Sequence, residues 1–114
     1  STPFRDNLYL RLNLLLNHIV DGNKEGVSTI IGLNLNPALL LCKISHTTDT
    51  SGREFKNLSP LQVALCCGDD EIYRLMIRRL SLDPDIKAEV KQQIKEIITD
   101  VDIIQNREKD VFDF

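Results

Sequence analysis

A chain of 114 residues, 42% apolar and 27% charged, has the size and balance of one domain with a modest core. Its formal net charge of -3 argues against nucleic acid as the main partner, because phosphate binding wants a basic surface. No apolar run is long enough to span a bilayer, and the chain does not open on a charged-then-apolar signal segment.

Asp6 or Asn7 can cap a first helix. Leu8, Leu12, Leu15, Leu16 and Ile19 recur at helical spacing, and Leu10 and Leu14 widen the stripe. This predicts a helix covered on more than one side. Gly22 ends it, and Asn23 caps a second helix carrying Val27, Ile30 and Ile31. Asn36-Pro37 breaks the pattern and starts a short turn before Leu39-Leu40-Leu41. Between Leu39 and Leu58 the reading is a β-hairpin. Ile44, Thr47 and Thr48 favour extended backbone, Asp49-Thr50-Ser51-Gly52 signals a turn, and Arg53-Glu54-Phe55 runs back antiparallel.

Ser59 then caps a helix that starts on Pro60, where a missing N–H costs nothing. Leu61, Ala64 and Leu65 share one face, and Gly68 stops the helix in a tight turn. Asp69 or Asp70 caps the next helix, with Ile72, Leu75 and Met76 as its apolar positions. Past Leu80, Asp83-Pro84 opens a last helix with Ile86, Val90, Ile94, Ile97, Ile98 and Val101 along one stripe. Lys87, Glu89, Lys91, Lys95 and Glu96 lie off that stripe, on a solvated face. Asn106 to Phe114 reads as a frayed, charged tail.

The two halves overlay at a constant shift of 46, as Gly68 on Gly22. Gly22, Asn23, Glu25, Val27, Ile30 and Ile31 fall on Gly68, Asp69, Glu71, Tyr73, Met76 and Ile77. Leu15 and Ile19 fall on Leu61 and Leu65. In the first copy Asn13-Leu14 stands where the second has Ser59-Pro60, and His18 stands where it has Ala64.

The stretch from Ser59 to Ile77 resembles an ankyrin repeat. Ser59-Pro60-Leu61-Gln62 stands for that family's Thr-Pro-Leu-His opening, and Ala64, Gly68, Glu71-Ile72 and Met76-Ile77 fit the rest of its pattern. Asp49-Thr50-Ser51-Gly52-Arg53 is similar to the Asp-x-x-Gly-x hairpin tip that joins such repeats, with Glu54 to Leu58 inserted before the opening. Ankyrin repeats recur at about 33 residues, so the hairpin is expected to be long and to protrude.

The resemblance implies a mainly α fold in a single domain over 1–114. Two ankyrin-type helical hairpins (8–35 and 59–80) are separated by a β-hairpin insertion (39–58) and closed by a C-terminal helix (84–105). Two such hairpins expose an apolar side, and arrays of fewer than three repeats are seldom stable, so the last helix is expected to cover it. About five aliphatic side chains would contribute roughly 1.5–3 kcal/mol each. The stripe suits either packing within the chain or a dimer through the C-terminal helix.

Chemistry has few candidates. His18 lies where the repeat packs its helices together, so a structural role with its ring bonded to a turn is expected. His46 lies on the proposed hairpin, and in a strand it stands about 13 Å from Cys42, too far for a Cys–His pair. Cys66 and Cys67 fall at a helix C-terminal end, where the dipole opposes a thiolate. Asp69-Asp70-Glu71 at a helix start reads as a cap rather than a metal site. The expectation is no catalytic residue, no metal and no cofactor. An odd cysteine count (Cys42, Cys66, Cys67) with two adjacent suits a reducing compartment.

In ankyrin proteins the partner-facing positions are the hairpin tips and the end of each first helix. The resemblance places these at Thr50, Ser51, Arg53, Cys66 and Cys67, with a protein as the partner. Asn36-Pro37-Ala38-Leu39-Leu40-Leu41, Gly52-Arg53-Glu54-Phe55 and Gln62-Val63-Ala64-Leu65 also look like ankyrin-like segments of effectors that intracellular bacteria inject into host cells. That likeness implies a binding part of a larger virulence protein acting in a host cytosol. The competing expectation is a structural or regulatory domain packed against the catalytic part of a larger enzyme.

Overall fold

The structure is a computed structural model that describes residues 3–32, 35–43 and 45–98, with residues 3–9 and 45 described by their backbone. It is mainly helical, with one small antiparallel sheet among the described residues.

Helices α1 (Pro3–Val20) and α2 (Lys24–Gly32) form a first hairpin, and α3 (Pro60–Cys67) and α4 (Asp70–Leu80) form a second. The two are built alike. Gly22 and Gly68 both turn the chain at positive φ, +69° and +70°, a conformation that costs glycine nothing. At each turn the glycine N–H bonds back to the preceding helix, Gly22 to the Ile19 carbonyl and Gly68 to that of Leu65, both at 3.1 Å. Asn23 Oδ1 then accepts from the Gly26 N–H and Asp69 Oδ1 from the Ile72 N–H, again both at 3.1 Å. The overlay of the two halves therefore extends to matched caps and turns.

The hairpins lie side by side. α1 packs on α3 and α2 on α4, which makes an inner row and an outer row. A third inner helix, α5 (Lys87–Ile97), packs on the far side of α3. The core between them holds Leu15, Leu16, Ile19, Val27, Leu61, Ala64, Ile72, Tyr73, Met76 and Ile94.

Between the hairpins, a 3₁₀ turn over Pro37–Leu41 is capped by Asn36 and buries Leu40 and Leu41. Strands β1 (Ser45–Thr48) and β2 (Glu54–Leu58) pair antiparallel, with Thr47 opposite Phe55. Asn57, at φ +57°, is the extra residue of a bulge that shifts the register beside Ser45. One strand face carries Thr47 and Phe55 into the core, and the other leaves His46, Thr48, Glu54 and Lys56 exposed.

The structure corrects four expectations. The first helix starts on Pro3, well before Asp6, because proline is at home in a first helical turn. Leu10 and Leu14 are 60% and 50% exposed instead of covered, because α2, α3 and β1 all pack on the other sides of α1. Leu39–Leu41 belongs to the 3₁₀ turn, not to the β-hairpin, since Pro37 and the Asn36 cap coil the backbone there. The last helix opens as a 3₁₀ turn over Pro84–Ile86, and Ile98 leaves it with ψ 115°. Residues 99–105 and the charged tail lie outside the described residues.

The last helix packs within the chain. Val90 and Ile94 are buried, and between them a polar side chain, Gln93, is fully buried too. Its amide donates to the Leu41 carbonyl at 2.8 Å and to Glu89 at 2.9 Å. Its side-chain oxygen accepts from the Ser59 hydroxyl, and its backbone carbonyl accepts from Gln62 at 3.1 Å. Ser59 and Gln62 meanwhile form a reciprocal capping box at the start of α3. One glutamine thus satisfies the buried polar groups of α3, α5 and the 3₁₀ turn together, and each would cost about 1–3 kcal/mol if left unpaired. Lys43 pairs with Glu96 at the rim of the same contact.

Candidate functional site

The hairpin tip is organised by one carboxylate. Asp49 Oδ1 accepts from the Ser51 N–H and the Arg53 N–H, both at 2.9 Å, and from the Ser51 hydroxyl at 2.6 Å. The Asp49 N–H bonds the Arg53 carbonyl at 3.0 Å, which closes the loop from the other side. The Ser51 hydroxyl bond, with the backbone bonds behind it, lowers the Asp49 carboxyl below its ordinary range. The tip is held in one shape by its own sequence, with Thr50, Ser51, Gly52 and Arg53 exposed along it.

Arg53 leans back onto the domain. Its guanidinium lies 4.8 Å from the centre of the Phe55 ring, within cation–π range. Its Nη1 reaches the Cys66 carbonyl at 3.5 Å. That carbonyl belongs to the last turn of α3, where helix carbonyls lack intrahelical partners and the dipole favours a cation. Phe55 is itself buried beneath, so the arginine head rests on a fixed platform.

The structure therefore brings Arg53 and Cys66 together, and joins hairpin tip and helix end in one surface. Cys66 is half-buried and Cys67 exposed. Burial pushes both thiols up; the nearby Arg53 charge pulls the other way, and around Cys67 the carboxylates of Asp49 and Asp69 add to the rise. Both sulfurs stay protonated near neutral pH, which leaves them as small soft surface groups. All three cysteines are free thiols.

The other candidate side chains make local contacts. The Asn23 amide meets His18 Nδ1 at 3.2 Å, in the turn that joins α1 and α2. Because Asn23 Oδ1 is held by the Gly26 N–H, its amide nitrogen faces the imidazole and donates to it. His46 is exposed on β1 and pairs with Glu54 at 3.4 Å. Asp69 caps α4, and Glu71 pairs with Lys24 at 3.6 Å. No group of three or more His, Cys, Asp or Glu side chains is placed to hold a metal ion among the described residues. No helix among them is long and apolar enough to cross a membrane.

Two residues of this surface escaped the sequence reading. Asp49 was visible only as a turn former, yet it orders the tip. Phe55 was visible only as a strand residue, yet it supports Arg53. The spacing Asp-x-x-x-Arg-x-Phe carries the signal, because in a tight hairpin it brings carboxylate, guanidinium and ring to one end.

No family model, no curated protein and no solved structure matches this chain.

Proposed function

We propose that the domain is a non-catalytic protein–protein recognition module of the ankyrin type. Its contact surface is the hairpin tip, Thr50, Ser51 and Arg53, with the adjoining end of α3 at Cys66 and Cys67. The observation that carries this reading is the Asp49-ordered tip seated against α3 through Arg53. A surface fixed before binding loses little conformational entropy when a partner docks. Arginine is also enriched among the residues that dominate interface energy. The matched hairpins, stacked side by side, supply a rigid support on which surface positions vary freely.

The partner we propose is a host protein, met in a reducing cytosol by a larger bacterial effector of which this chain is the binding part. Free, protonated cysteines at the contact surface suit such a compartment.

Affinity capture from host-cell lysate tests the reading, with the wild-type domain beside Arg53→Glu combined with Thr50→Ala and Ser51→Ala. Circular dichroism checks that both fold. A protein retained by the wild type and lost by the variant supports the tip as the interface. Equal retention moves the interface to another face. No specific capture by either favours a domain that packs against its own larger protein.

A further inference from the structure

The outer row of helices carries a second surface, away from the hairpin tip. Between α2 and α4 the structure opens two clefts that meet at Leu75. One, of about 320 Å³, is lined by Ser28, Ile31, Gly32, Leu75 and Arg79. The other, of about 180 Å³, is lined by Lys24, Glu71, Arg74, Leu75 and Arg78. Because Leu75 lines both, they adjoin along α4 and are taken as one groove, with half-buried Leu75 and Ile31 as its apolar floor.

Charge is unevenly placed along it. Among the described residues that line it, four cations, Lys24, Arg74, Arg78 and Arg79, face one carboxylate, Glu71, on a chain whose net charge is -3. Lys24 pairs with Glu71 at 3.6 Å, and Arg79 reaches the Leu35 carbonyl at 3.5 Å. Arg74 and Arg78, one turn apart and both exposed, take part in none of the ion pairs among the described residues. Like charges at that spacing repel each other on a helix surface. A carboxylate bound between them would remove the repulsion and engage two planar donor forks.

We infer that the groove between α2 and α4 binds an acidic peptide segment that carries an aliphatic or aromatic anchor. The arginines take its carboxylates, and the floor of Leu75 and Ile31 takes the anchor. From Glu71 to Arg79 the groove runs about 12 Å along α4, which matches roughly four residues of extended peptide. Nucleic acid fits less well. Among the described residues the groove offers no aromatic side chain on which a base would stack, and the rest of the chain is net acidic. This site is independent of the hairpin surface, because it lies on other helices and uses none of the same residues.

Fluorescence anisotropy with a labelled nine-residue peptide of alternating Glu and Leu tests it. Two controls carry Lys in place of Glu, or Ser in place of Leu. The expected result is saturable binding of the Glu-Leu peptide that weakens with added salt, and weaker binding of both controls. Arg74→Glu with Arg78→Glu should lower affinity by about tenfold or more, with an unchanged melting temperature. Glu71→Gln, which removes a carboxylate that lines the groove, should tighten binding a few-fold. Equal affinity in the double variant overturns the inference, as does equal binding of the Lys peptide. Sedimentation that shows self-association abolished by the same variant gives the groove to a second copy and overturns it too. So does binding to phosphatidylserine vesicles with none to the peptide.

Discussion

The two helical hairpins share turns and caps, yet they differ in what surrounds them. The second sits between the first hairpin on one side and α5 on the other, whereas α1 leaves Leu10 and Leu14 exposed and packs on no further helix among the described residues on that side. Equivalent positions record this. Ser59 is fully buried and bonded to Gln93, while Asn13, its counterpart, is exposed. Pro60 is buried and Leu14 is half exposed. Ile77 is buried and Ile31 only half so. Similar local turns and caps thus yield one more covered hairpin and one less covered, according to what packs beside each.

A second difference is an exchange of sizes. In the second hairpin, small Ala64 on α3 is matched with large Ile72 on α4, and both are fully buried. In the first, the large residue is His18 on α1, and the matching position on α2 is Gly26. A Cβ built there would lie 2.5 Å from His18 Nδ1. Bulk moves from one helix to the other, and the space between the helices stays filled.

The largest effect should come from emptying the buried side of this exchange. Ile72→Ala should cost about 2–5 kcal/mol, read by urea denaturation. A loss under 1 kcal/mol would mean that the two hairpins pack by different rules. Next comes the covered edge against the free one. Ser59→Ala removes a cap and strands the Gln93 oxygen, at about 1–3 kcal/mol. Asn13→Ala, at the matching place in α1, should change stability by no more than about 0.5 kcal/mol. Equal losses would show that α5 does not distinguish the two hairpins.

A smaller effect sharpens the size exchange. Gly26→Ala gains helix propensity, worth about 1 kcal/mol, but forces the His18 ring aside and breaks its bond to Asn23. Overpacking of about 1–3 kcal/mol should outweigh the gain. Adding His18→Ala should recover most of the loss, and a double-mutant cycle measures the coupling. Additive losses would break the pairing of these two positions.

The smallest effect lies at the tip between the hairpins. The Asp49 carboxyl is lower in the folded state than in the unfolded chain. Its contribution is therefore present above the ordinary carboxyl range, about pH 3.9. It fades as pH falls through the depressed folded value. Amide exchange at Ser51 and Arg53 should speed up in Asp49→Ala at neutral pH, with the helices unchanged. Unchanged exchange would mean that the β-ladder, not Asp49, holds the loop.

Much of the fold was legible because its signals are local. Ser59-Pro60, Asn36-Pro37, Asp83-Pro84 and the glycines at 22 and 68 mark starts and stops through caps and positive φ, which depend on a few neighbouring residues. Of the candidate surface, the exposed tip was legible in the same way, and so, elsewhere in the fold, was the bonding of the His18 ring to its turn. The seat of Arg53 was legible only in part: Phe55 follows it two residues on in the same hairpin, but the Cys66 carbonyl meets it only after the sheet has docked on α3.

By itself the sequence determined the helical hairpins, their shared turn chemistry, the 46-residue repetition and the hairpin tip. The tertiary structure alone decided which leucines of α1 stay in water. It also decided that Gln93 rather than an aliphatic residue ties the last helix to the capping box. It gathered Lys24 from one helix and three arginines from another into a basic groove. The physical reason is range. Capping and turn energies act within one or two turns of chain, while burial, buried hydrogen bonds and summed charge depend on which distant segments become neighbours.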